Sequence, residues 1–117
     1  MRSPTEHTLN YLKKMQFPAQ VVEQWNQWAK RRKDLWGADI LSRQGMKLVA
    51  IQSTSGSHHA DHVKGAIENP DVENWLVCGV AFEIWSWSKM GKAGKRKLWT
   101  PRVTQLVITD TGKIRPM

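Results

Sequence analysis

The sequence predicts an α/β domain, a mixed β-sheet flanked by helices. Three observations lead there. The chain has 117 residues, one domain's worth of polypeptide and too little for two. Apolar residues recur at helical spacing near the N-terminus and again between residues 60 and 78. β-rich apolar runs occupy residues 47–52, 80–87 and 98–108, so helices and strands alternate along the chain.

Ser3-Pro4-Thr5-Glu6 has the form of a helix start, with Ser3 as N-cap, Pro4 at the first helical position and Glu6 closing a capping box. Leu9, Leu12 and Met15 continue the helix until Phe17-Pro18 stops it. Val21 to Trp28 reads as a short strand followed by a loop. Ala38-Asp39-Ile40-Leu41 and Lys47 to Gln52 flank a turn at Gln44-Gly45 and should pair as a hairpin. After the polar break at residues 53–57, Ala60, Val63, Ala66 and Ile67 mark a second helix. Pro70 opens a short third helix to Cys78, with Gly79 as its stop. Val80 to Trp87 and Leu98 to Ile108 read as strands joined by a basic loop over residues 89–97. Asp110-Thr111-Gly112 is a turn, and residues 109–117 are expected to form a loose tail of the single domain 1–117.

Lys and Arg number 18 against 10 Asp and Glu, a formal charge of +8. That imbalance suits a polyanionic partner, and nucleic acid comes first. The single cysteine, Cys78, excludes an internal disulfide, a cysteine-rich zinc site and CxxC redox chemistry, and its apolar neighbours suggest a buried thiol. No apolar run reaches the length of a membrane span, and Arg2 to Glu6 do not open a signal peptide. A soluble protein of a reducing compartment is expected, with no membrane and no small-molecule cofactor.

Asp39 is the most informative residue. An acid inside an apolar strand is costly to bury unless it binds a metal, accepts hydrogen bonds or lies at a rim. Gln52 ends the next strand, and the period of two puts Gln52 and Thr54 on one face. If the hairpin forms, Asp39 and Gln52 approach each other. With the backbone carbonyl of Ser53 they make an open oxygen site for Mg²⁺ or Mn²⁺, which keeps several waters and bridges to phosphate. The structural alternatives stand beside this reading: Glu6 only capping its helix, Asp39 as a hydrogen-bonded core acid, Gln52 facing water.

The order Glu6, Asp39, Gln52-Ser53-Thr54 along a helix, a strand and the next strand resembles the PD-(D/E)XK nuclease superfamily over residues 3–107, near the VRR-NUC domains and archaeal-type Holliday junction resolvases of phages and bacteria. The resemblance implies an αβββαβ restriction-endonuclease-like core and metal-dependent hydrolysis of DNA phosphodiesters, with branched DNA as a shape-selected substrate. It further implies Asp39 as main metal ligand, Gln52 as second and Glu6 as a further ligand or water holder. The cytoplasm of a bacterium or a phage-infected host would be its compartment, and a homodimer would offer two sites to a symmetric substrate. Gln52 stands where the motif more often has an acid, and Thr54 where it has lysine. Lys64, on the following helix, is the candidate to supply the missing positive charge.

Lys89, Lys92, Lys95, Arg96, Lys97 and Arg102 form an acid-free basic stretch beside Trp85, Trp87 and Trp99. It is the expected DNA arm, with Arg31, Arg32 and Lys33 as a second patch. Trp87 and Trp99 are candidates to stack on an unpaired base. Two of the histidines, His58 and His62, have metal-ligand spacing, but no HExxH pattern accompanies them. The group with His59 is expected to be solvated and carries no assigned catalytic role. The competing functional reading is a DNA-binding module that keeps the nuclease fold without catalysis; a partner-binding subunit anchored by exposed tryptophans is a third.

Overall fold

A computed structural model describes residues 2–26, 28, 31–91 and 97–117. Helix α1 spans Pro4–Lys14, and strands β1 (Ala19–Val21), β2 (Gln24–Asn26) and β3 (Arg31–Lys33) follow. The β4–β5 hairpin, Ile40–Gln44 and Lys47–Ser55, leads through a 3-10 turn into α2 (His59–Ile67) and α3 (Pro70–Val77). The chain closes with β6 (Ala81–Met90), β7 (Leu98–Ile108) and β8 (Ile114–Pro116). Among the described residues, six strands form one sheet in the order β1-β4-β5-β6-β7-β8, and β2 and β3 make a separate ribbon. The β5–β6 pair is parallel and the others in the large sheet are antiparallel, so α2 and α3 together make the long crossover that a parallel pair needs.

The expected elements form for the anticipated local reasons. Ser3 Oγ accepts the Glu6 N–H at 3.2 Å to cap α1, and Asn69 accepts the Asp71 N–H at 2.9 Å to cap α3 ahead of Pro70. Gly45 takes a positive φ of 65° in the two-residue turn between Gln44 and Lys47, a conformation that costs glycine little.

Each face of the sheet has its own core. On one side Leu12 of α1 packs with Ile40, Val49, Ile51, Trp85 and Trp87. On the other, α2 and α3 bring Ala66 and Val72 against Ala50, Phe82, Ile84 and Leu106. The alternation of β5 therefore sends Ser53 towards α1, while Gln52 and Thr54 face α2.

Four expectations are corrected. Val21 to Trp28 contributes two strands, because β2 finds a partner in β3. Residues 109–117 are not a loose tail: the Thr109–Lys113 turn folds β8 back onto the edge of β7. Cys78 is exposed, at the C-cap of α3. His59 is buried in the core, at 3% exposure, instead of solvated. No helix among the described residues is long and apolar enough to cross a membrane.

Candidate functional site

The site is organised by the head of the β4–β5 hairpin. Ile40 faces Ile51 in the ladder, yet the Asp39 N–H also donates to Ile51 O at 2.8 Å. Two residues thus stand against one, the arrangement of a β-bulge, which re-aims the side chain that it displaces. The Asp39 carboxylate accepts the Ser53 N–H through Oδ2 at 2.9 Å. Asp39 and Ser53 contacts therefore bracket Gln52, and the expected approach of residues 39 and 52 is realised. A residue's N–H and C=O leave the same edge of a strand, so the Ser53 carbonyl also faces the edge where β4 has ended.

A second acid enters from β1. Val22 N–H donates to Asp39 O at 2.8 Å, which brings the next residue, Glu23, into side-chain hydrogen-bonding range of Asp39. Burial pushes the Asp39 carboxyl up to about 7; the Ser53 N–H opposes this, while the Glu23 and Asp34 charges add to it. Glu23 has no sequence signal of its own, because its neighbourhood with Asp39 comes from the β1–β4 pairing.

Gln52 is held at both ends. Its Nε2 donates to Gly37 O at 3.2 Å, and its Oε1 lies 3.0 Å from His62 Nδ1. A carbonyl can only accept, so Gly37 fixes which end of the amide is nitrogen, and neutral His62 must carry its proton on Nδ1. Burial, then His58, lowers the His62 pKa, with Asp61 opposing. The sequence marks His62 only for its i, i+4 spacing with His58, which hides its partner Gln52 across the helix–sheet interface.

Ser53 ties the site to α1. Thr8 Oγ1 donates to Pro4 O at 3.0 Å and receives the Trp87 indole N–H at 2.8 Å, so the Ser53 hydroxyl, 2.9 Å away, is the donor in their contact. Glu6 lies two residues before Thr8, about 200° round the helix. It is exposed and its carboxylate stays with the Ser3 hydroxyl at 3.5 Å, so it joins the cap and not this cluster. Thr54 is buried on the Gln52 face. Lys64 is exposed and lines a different cavity of about 390 Å³, with His59, Val63, Arg102 and Thr104.

Among the basic residues, Lys33, Lys89, Lys97 and Arg102 are exposed. Arg31 and Arg32 belong to β3, while Lys92, Lys95 and Arg96 lie outside the described residues. Trp87 is buried at 5% exposure and stacks on His7 with ring centres 5.3 Å apart, while Trp99 meets the same His7 ring at 4.6 Å in a tilted arrangement. Lys89 Nζ lies 5.4 Å from the Trp99 ring centre. Trp87 is thereby removed as a stacking platform, and the Trp99 ring already has the His7 ring and the Lys89 ammonium against it.

Among the described residues, no three His, Cys, Asp or Glu side chains converge as a metal-binding group. The donor set around Asp39 nevertheless suits a hard cation. It offers two carboxylates in mutual contact, whose shared negative charge at neutral pH is relieved either by a proton or by a cation, and Mg²⁺ commonly takes only one or two carboxylates with water and phosphate completing its shell. Comparisons of the chain with protein families, curated proteins and solved structures find no match.

Proposed function

We propose that the protein is a metal-dependent DNA endonuclease with a PD-(D/E)XK-type core. The spatial order β1-β4-β5-β6, with β5 and β6 parallel and α2 and α3 in the crossover, supports an αβββαβ arrangement. The observation that carries the reading is the Asp39 carboxyl at the hairpin head, raised to about 7 and in contact with Glu23. Asp39 and Glu23 would hold Mg²⁺ or Mn²⁺, with the Ser53 carbonyl as a third oxygen. The cation would polarise the phosphate and lower the pKa of a bound water.

The chain's own residues position these parts. Ser53 N–H fixes one Asp39 oxygen, and the same carboxyl meets Glu23. Gln52, anchored by Gly37 and His62, presents a neutral amide where an acid would add charge, so cation affinity rests on the two carboxylates. Lys33, Lys89, Lys97 and Arg102 supply the field that attracts a DNA backbone. A homodimer would present two such sites to branched DNA, in the cytoplasm of a bacterium or phage-infected host.

The test is cleavage of plasmid and four-way junction DNA by the purified chain with Mg²⁺ or Mn²⁺. Activity should disappear in Asp39→Ala while folding and DNA affinity persist; cleavage surviving in that variant would remove the assignment. One observation favours the alternative, a DNA-binding module. Thr54 is neutral and buried and Lys64 lines another cavity, so no lysine accompanies Asp39 from either expected position. Salt-sensitive binding without cleavage in any divalent ion would establish that alternative.

A further inference from the structure

Trp36 is held in a conformation that its residue type disfavours. Leu35 and Ala38 exchange both backbone hydrogen bonds at 2.9 Å, closing a two-residue turn in which Trp36 has φ 50° and Gly37 φ 87°. Such turns favour Asn or Gly at the first position, and a bulky side chain there is strained. Burial does not compensate, because Trp36 is 60% exposed. Strain of this kind persists where the surroundings hold it: the Trp75 indole N–H donates to Trp36 O at 2.9 Å, and the Gly37 carbonyl receives the Gln52 amide.

The two indoles, with ring centres 5.7 Å apart and planes inclined by 60°, border a cavity of about 380 Å³ completed by Asp71, Asn74 and Cys78. This is the size range of small-ligand pockets, roughly 300–1,000 Å³. Its chemistry is an aromatic wall, one carboxylate and one amide. We propose that it receives an unpaired guanine base from the strand bound at the Asp39 site. A carboxylate accepts two parallel N–H groups, and guanine is the base that offers adjacent ring and amino donors; the Asn74 amide suits its carbonyl. That edge is occupied in a base pair, so the guanine must be unpaired. Asp71 and the neighbouring Glu73 repel phosphate, which leaves the base as the part that enters while the backbone stays with the basic residues.

The inference rests on the nucleic-acid reading above but not on cleavage. The Gly37 carbonyl joins the two places, since Gln52 and the tryptophan turn share it. The experiment uses the whole chain in EDTA with thymidine pentamers carrying a central guanine, adenine or cytosine. Binding is followed by tryptophan fluorescence and by the indole N–H resonances of Trp36 and Trp75. The guanine strand should bind about fivefold more tightly than the others, and Trp36→Ala should weaken it roughly tenfold, as loss of one stacking partner does. Asp71→Asn should erase the preference for guanine while leaving the fold intact. Alkylation of Cys78, the chain's single cysteine, with a bulky maleimide should block binding. Because every measurement is made in EDTA, where divalent-ion-dependent hydrolysis is off, the result separates failure of hydrolysis from failure of the pocket. Equal binding of the three strands, or unmoved Trp36 and Trp75 resonances, would overturn the proposal.

Discussion

The Ser53 backbone N–H lies 2.9 Å from Asp39 Oδ2, so the strand that carries Gln52 also holds the acid opposite it. That single bond does not offset burial, and the Asp39 carboxyl rises to about 7. An acid raised on folding keeps its proton in the folded chain where the unfolded chain, at about 3.9, has released it. Its contribution to stability is therefore lost as pH rises from about 4 to about 7 and stays lost above that. Asp39→Asn should flatten this fall and unfold at a higher temperature than the parent at pH 8, read by thermal melts across pH in EDTA. An unchanged slope would mean that Asp39 titrates as it does in the unfolded chain.

A divalent ion should replace the proton between Asp39 and Glu23. Mn²⁺ or Mg²⁺ is expected to raise the melting temperature at pH 8 by an amount that grows with concentration, as any ligand of the folded state does. Asp39→Ala and Glu23→Gln should each reduce that rise. The Glu6→Gln variant should retain it, because Glu6 stays at the α1 cap.

His59 joins α2 to the sheet through Ser86 Oγ at 2.6 Å and Thr104 Oγ1 at 2.7 Å. His59→Leu leaves the buried Ser86 hydroxyl without its partner and should cost about 1–3 kcal/mol in denaturant unfolding. Burial, then Arg102 and His62, lowers the His59 pKa. The unfolded chain therefore takes up a proton first, and stability is lost as pH falls below about 6.5. The variant should lose part of this acid sensitivity; His7 and His62, lowered in the same direction, should retain theirs.

From Ile84 to Thr109 the chain contains no acid, and Lys89, Lys97 and Arg102 are exposed within that stretch. If these residues contact phosphates, replacing all three with alanine should lower the slope of log affinity against log salt by about 2–3, near 0.9 per contact. Fluorescence anisotropy with duplex DNA would measure it. A loss of affinity with an unchanged slope would assign these side chains to packing.

Legibility in the sequence followed the range of the interactions. The capping box of α1, the Pro70 start of α3 and the β4–β5 turn are local, and all could be seen in a few consecutive residues. Strand β7 spans Leu98–Ile108, the run that its β-rich composition suggested. The Asp39–Gln52 approach was visible because one short turn relates the two. Glu23 was hidden, since it reaches Asp39 only through a strand pairing with no patterned sequence of its own. Nothing near His59 in the sequence marks it as buried, because Ser86 and Thr104 lie 27 and 45 residues away, too far for any local signal. Cys78 misled for the opposite reason: apolar neighbours implied burial, but the end of a helix turns one of its last residues outward.

The β4–β5 hairpin has two very different ends. At one, Asp39, Ser53 and Gln52 are tied together and to both layers of helices. At the other, Gly45 has open space around it and Met46 is fully exposed, with five register pairs between Ile40↔Ile51 and Gln44↔Lys47 in between. An affinity tag or fluorescent reporter grafted between Gly45 and Met46 would be insulated from the acid pair by the intervening ladder.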